Sequence, residues 1–116
     1  MKANKITLEQ ALLHELFDYS GGQLVWKQRP SKLSRAPLGE VAGGLHHSGY
    51  RNIKIYNVLY PAHRLVWIYH NGSIDDKLQI DHIDRRKDNN NISNLRLVTA
   101  KENSANRVYK FNREAA

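Results

Sequence analysis

Cysteine is absent from this 116-residue chain. That excludes disulfides and every thiolate metal site, so no structural zinc is expected. It also suits a reducing, cytoplasmic setting. No apolar run approaches the ~20 residues that cross a bilayer, so no membrane partner is expected. The first residues, Met1-Lys2-Ala3-Asn4-Lys5, lead into an amphipathic pattern rather than the apolar stretch of a secretory signal. There is no internal repeat, and no low-complexity segment outside one asparagine-rich loop. Acids are scarce in the middle of the chain: between residues 19 and 74, seven Lys/Arg side chains face a single acid, Glu40. The net charge of +7 and pI near 9.8 make a polyanion the natural partner. The length predicts one domain over 1–116 with a modest core.

Apolar spacing divides the chain. Thr7-Leu8-Glu9-Gln10 has the form of a capping box, and Leu8, Leu12, Leu13, Leu16 and Phe17 give a helical apolar face. Gly21-Gly22 is expected to end that helix, with His14 on its surface. Residues 23–27 read as a strand with Trp26 in the core. Residues 28–37 read as a loop carrying Arg29, Lys32 and Arg35 among prolines and serines. Residues 38–42 make a weak strand and Gly43-Gly44 a turn. From Tyr50 to Tyr56 residues alternate. Arg51, Ile53 and Ile55 share one face, and Tyr50, Asn52, Lys54 and Tyr56 share the other. Pro61 opens a helix with Ala62, Leu65, Val66 and Tyr69 on one side and Gly72 as its stop. His63 reads as a packed, hydrogen-bonded histidine. His46, His47 and His70 match no ligand spacing.

Chemistry concentrates between residues 78 and 107. Leu78 to His82 reads as a strand, Asp84 to Ser93 as a loop, and Leu95 to Val98 as a second strand. Thr99 and Glu102 form a capping box for a helix from about Ala100 to Arg107. Strand, loop, strand and helix place Asp81 and His82 at a strand end, faced by Asn103. Asp81 and the Asn103 carbonyl are oxygen ligands, and two protein oxygens plus water commonly hold magnesium. Histidine titrates near ~6.5 in general, so an imidazole at 82 suits the role of base toward water. Asn94, at the loop end, suits backbone hydrogen bonding.

Asp81-His82, Asp84, Asp88-Asn89, Asn94-Leu95-Arg96 and Asn103 together resemble the HNH nuclease motif of small phage-type, homing-endonuclease-like enzymes. Ala62-His63-Arg64-Leu65-Val66-Trp67 also looks like that family. The resemblance covers about 10–107, most specifically 61–107. It implies an α+β fold: a ββα-metal (His-Me finger) core after a small N-terminal helix and antiparallel strands. It implies a one-metal DNA endonuclease with His82 as general base, Asp81 and Asn103 as metal ligands and Asn94 as loop clamp. Mg2+ is the expected metal, with Mn2+ or other divalent ions able to substitute. The expected products carry 5′-phosphate and 3′-hydroxyl ends, and a phage-encoded enzyme acting in the bacterial host is implied. Many relatives have Asp-Gly-Asn after the histidine; here the run is Asp84-Arg85-Arg86.

The plan is therefore residues 1–60 as helix plus basic β region, 61–107 as helix and catalytic core, and 108–116 as tail, with no further DNA-binding module expected after the core. The groups offered to double-stranded DNA are Arg29, Lys32, Arg35, Arg51, Lys54, Arg85, Arg86 and Arg96. Two alternatives share the fold: a catalytically inactive nucleic-acid-binding module, and a phage packaging accessory protein.

Overall fold

The computed structural model describes residues 8–103. Helix α1, Leu8–Leu16, buries Leu13 and Leu16 and ends there. Gly21-Gly22 does not end it. Phe17–Ser20 instead leaves the helix as strand β1 and pairs with β2, Gln23–Trp26. Two local features permit this. Phe17-Asp18-Tyr19-Ser20 alternates apolar and polar, which suits a half-buried strand. Gly21 and Gly22 both have positive φ (56° and 89°), as a two-residue hairpin turn with primed geometry requires. Residues 38–42 make no strand, only a bridge from Val41 to Val25, flanked by the Trp26 N–H on the Glu40 carbonyl (3.0 Å) and the Ala42 N–H on the Leu24 carbonyl (2.8 Å).

A second sheet runs β3 (Gly44–Leu45), β4 (Arg51–Ile55) and β5 (Val58–Pro61), all antiparallel. Gly44 thus lies in a strand, not in a turn. Strand β5 was not foreseen, because its hairpin turn, Tyr56-Asn57, contains no glycine. Both residues take positive φ (50° and 64°), a conformation asparagine tolerates and tyrosine does not favour. The Tyr56 hydroxyl donates to the Pro30 carbonyl (2.9 Å), which docks loop 28–37 on this tip.

Pro61 caps helix α2, Ala62–Asn71, and Gly72 stops it at φ 94°. The buried face of α2 is Ala62, Leu65 and Val66. Helix α1 crosses α2 and is tied to it through side chains. His14 Nε2 (2.7 Å) and Gln10 Nε2 (3.1 Å) both donate to the Tyr69 carbonyl, one of the acceptors a helix end leaves open. His14 is therefore a strut between helices and not a free surface residue.

Strand β6 (Leu78–His82) pairs with β7 (Leu95–Thr99), with His82 opposite Leu95 and Asp81 opposite Arg96. A 3-10 turn, Ile92–Asn94, leads into β7, and residues 100–103 are helical. The capping box is present: Thr99 N–H donates to Glu102 Oε1 (2.8 Å) and Glu102 N–H to Thr99 Oγ1 (3.0 Å). The rest of that helix to Arg107, the tail from Val108 and the Thr7 cap lie outside the described residues. One buried cluster joins the parts. Leu13, Leu16 and Phe17 meet Leu24 and Trp26, then Ile53 and Ile55, then Leu65, Val66 and Leu95. Burial of this apolar surface, at ~25 cal/mol per Å², holds three small sheets that would not be stable alone.

Candidate active site

The loop between β6 and β7 is held by its own asparagines and one aspartate. Asn94 is 9% exposed. Its Nδ2 donates to Asp84 Oδ1 and to the Asn89 carbonyl (both 2.9 Å), and its Oδ1 accepts the Asp84 N–H (3.0 Å). Asp84 Oδ1 also accepts the Arg86 N–H (2.8 Å), and Oδ2 accepts Asn89 Nδ2 (2.7 Å). These bonds, the Arg86 amide first, hold the Asp84 carboxyl below its ordinary range. Arg85 stands where many relatives have glycine, and its backbone is left-handed (φ 66°). The turn keeps the shape a glycine favours, at a cost of roughly 1–2 kcal/mol for a side-chain-bearing residue.

This frame presents His82, which is buried at the end of β6. His82 Nε2 donates to Asn90 Oδ1 at 2.8 Å. That bond assigns the proton to Nε2 and leaves Nδ1 as the basic nitrogen, with no partner among the described residues. Asn90, 3% exposed, is a site residue that sequence reasoning missed. It sits in the run Asn89-Asn90-Asn91, whose members look alike and act differently. Asn89 bonds Asp84, Asn90 bonds His82, and Asn91 Oδ1 caps the 3-10 turn through Ser93. The available signal was chemical: a histidine base needs a second group to fix its tautomer.

Asp81 is also buried, and its Oδ2 receives both Arg96 Nε and Nη2, each at 2.9 Å. Arg96, half exposed, is thus engaged across the strand pair by a carboxylate. Asp81 Oδ1 has no partner among the described residues. Asn103 Nδ2 donates to Gln79 Oε1 (2.8 Å). Gln79 and Asp81 lie two residues apart on one strand and share a face, so Asn103 stands over the face that carries Asp81. The donor set here is one free carboxylate oxygen and one amide oxygen, with no group of three or more His, Cys, Asp or Glu side chains assembled among the described residues. Such hard, sparse oxygen donors fit a divalent ion that keeps most of its waters, as magnesium does.

His63, second residue of α2, lies against His82, with ring centroids 5.1 Å apart and planes at 73°. Tyr50 stands beside both rings, 5.4 Å from His63 and 6.1 Å from His82. Lys87 crosses from the loop to donate to the Ser48 carbonyl (3.0 Å), 5.0 Å from the Tyr50 ring.

The basic groups fall into two regions. Arg85, Arg86 and Lys87, with His46, His47 and one acid, Asp88, line a groove of about 460 Å³. Arg35 and Lys54 line a second hollow with Tyr56 and Asn57 at the far tip of the β4–β5 hairpin. Tyr50 and Tyr56 stand at opposite ends of β4, roughly 20 Å apart at ~3.3 Å per residue. Lys32 is exposed in loop 28–37 near that tip, Arg29 Nε bonds the Ala36 carbonyl (3.3 Å), and Arg51 Nη1 bonds the Gly43 carbonyl (3.0 Å).

Residues 60–105 match the HNH endonuclease family. The fold is similar to the structure described as DNA binding and cleavage by the HNH homing endonuclease I-HmuI, with a TM-score of 0.59 and 28% sequence identity. The likeness covers 78% of this chain and 49% of that one, so this chain spans about half of that protein's length. No curated protein matches the chain. The family match thus falls on the helix, strand pair and loop that carry Asp81, His82, Asn94 and Asn103, and over that stretch the chain is similar to the HNH endonucleases.

Proposed function

We propose that the protein is a metal-dependent DNA endonuclease that hydrolyses phosphodiester bonds, with His82 as general base. The observation that carries this reading is the state of the His82 ring: Nε2 is committed to Asn90, and Nδ1 has no partner among the described residues, on a buried histidine that follows the buried Asp81 in β6. His82 Nδ1 takes the proton from the attacking water, and Asn90 accepts a hydrogen bond from the ring throughout. Asp81 and Asn103 are the residues to hold a divalent cation, Mg2+ foremost. When bound, such an ion supplies charge stabilisation at the phosphate and the leaving oxygen. Arg96 balances Asp81 in the ion's absence and keeps the carboxylate oriented. Asn94 serves as loop clamp.

Double-stranded DNA is the proposed substrate, by analogy with the similar homing endonuclease, which binds and cleaves DNA. Its backbone is placed in the groove between turn 45–49 and loop 85–88, with Arg85 and Arg86 contacting phosphate. Lys87 braces the two walls of that groove. Incubating supercoiled plasmid with the protein and Mg2+ tests the reading directly. Nicked or linear product is expected from the wild type. His82→Ala should lose ~10²–10⁴-fold in rate, as loss of a general base does, while its DNA affinity stays close to wild type. Wild-type protein that binds plasmid and leaves it intact would instead favour the inactive binding module.

A further inference from the structure

His63 Nδ1 is the buried side-chain polar atom that lacks a hydrogen-bond partner among the described residues. Native structures rarely leave such an atom unpaired without a functional reason. Packing does not account for a histidine here, since a phenylalanine would fill a similar space with no orphaned nitrogen. The orphan also indicates the tautomer. A buried N–H without an acceptor is rarer than a buried lone pair without a donor, so the proton belongs on Nε2. That nitrogen bonds no described residue. Burial first, then His82 and Arg64, lower the His63 pKa to about 4, so the ring is neutral at working pH. The outcome is a neutral N–H donor on a ring 5.1 Å from the His82 ring. It is held by the first turn of α2 and flanked by Tyr50.

We propose that His63 is a second catalytic imidazole, whose Nε2–H donates a hydrogen bond to a non-bridging oxygen of the scissile phosphate while His82 acts on the water. This rests on the nuclease reading above. No proton is transferred from His63; its bond shortens as charge builds on the phosphate oxygens, which lowers the barrier.

The test uses the full chain with His63→Phe and His63→Gln. Phenylalanine keeps a ring against His82 and removes the donor. Glutamine places its amide nitrogen near the position of Nε2. Cleavage of plasmid with Mg2+ gives kcat and KM, DNA affinity is read without divalent metal, and thermal melting reports folding. His63→Phe is expected to melt at or above the wild-type temperature and to bind DNA equally well. Its kcat should fall about 10²-fold, the loss typical of one preorganised donor. His63→Gln should recover at least about tenfold of that loss. Wild-type kcat in His63→Phe overturns the proposal, as does a glutamine variant no faster than phenylalanine. A lowered melting temperature that accompanies the lost activity in His63→Phe also overturns it, in favour of packing alone. If the wild type itself fails to nick DNA, the nuclease reading falls and takes this proposal with it. If the wild type nicks and His63→Phe matches it, only the role of His63 falls.

Discussion

The side chains of Asn90, His82 and His63 lie in sequence within a few ångströms, and the two histidines differ in their protonation. In the proposed role as base His82 would need one nitrogen fixed and one free, and Asn90 holds Nε2 with a single bond. His63 must stay neutral, and burial ensures it. The consequence for stability has a definite sign. His63 falls from an ordinary 6.5 to about 4 on folding. Below about pH 6.5 the unfolded chain binds a proton that the folded chain refuses, so stability falls as the pH drops from 6.5 toward 4 and levels off below that. The loss is on the order of 3 kcal/mol at most, at ~1.4 kcal/mol per unit. Denaturant melts of wild type and His63→Phe at pH 7 and pH 4.5 check this. The wild type should lose more stability than the variant, and equal losses would place the depressed pKa in doubt.

At the scale of elements, the loop between β6 and β7 depends on a hairpin distant in sequence. A Cβ on Gly22 would stand 2.8 Å from the Asn91 nitrogen and 3.0 Å from its Cα, and Gly22 also has φ 89°. The Tyr19 hydroxyl accepts the Ile92 N–H at 2.9 Å from the neighbouring strand. The β1–β2 hairpin is thus the seat on which residues 90–92 rest, and Asn90 reaches His82 from that seat. Gly22→Ala should cost ~1–3 kcal/mol through backbone strain and displacement of the loop. Cleavage should drop more than the melting shift alone explains, because Asn90 moves with its neighbours. Gly21→Ala is the control: it has a similarly positive φ (56°) and no atom within 4 Å. It should lose stability to strain and retain its rate per folded molecule. If the two variants lose rate equally, the seat is not what positions Asn90.

Across the whole molecule, the two basic regions bear on how a duplex would lie. One is the groove between residues 45–49 and 85–88 and the other the tip of the β4–β5 hairpin, on the far side of β4. A duplex that contacts both would run along the second sheet. Each phosphate contact removed lowers the log–log salt slope by ~0.9. Arg85→Ala with Arg86→Ala should therefore flatten the slope by up to ~1.8, and Arg35→Ala with Lys54→Ala by a similar amount. The effects should add, since sites this far apart rarely couple. Binding titrations on one duplex at several salt concentrations decide it. An unchanged slope for the hairpin-tip pair would confine the DNA to the groove. No described helix is long and apolar enough to cross a membrane.

What the sequence by itself determined was mostly local. Strand β6, the polar loop, strand β7 and the Thr99–Glu102 cap were legible because their signals are periodicity and capping over adjacent residues. The resemblance carried by Asp81, His82, Asn94 and Asn103 was legible for the same reason, being a matter of residue type at fixed spacing. Local rules failed where two readings compete. Phe17 continues the apolar face of α1 as well as it begins a strand, and only its pairing with Trp26 decides for β1. Strand β5 depends on a turn of Tyr56 and Asn57 that the Pro30 contact helps hold. The tertiary structure alone decided which asparagine serves His82, that Arg96 turns to Asp81, and that His63 comes to stand beside His82. Those are contacts between elements, set by packing across the core and not by spacing along the chain. A sequence records which side chains are available, and the packing of the elements around one core determines which of them meet.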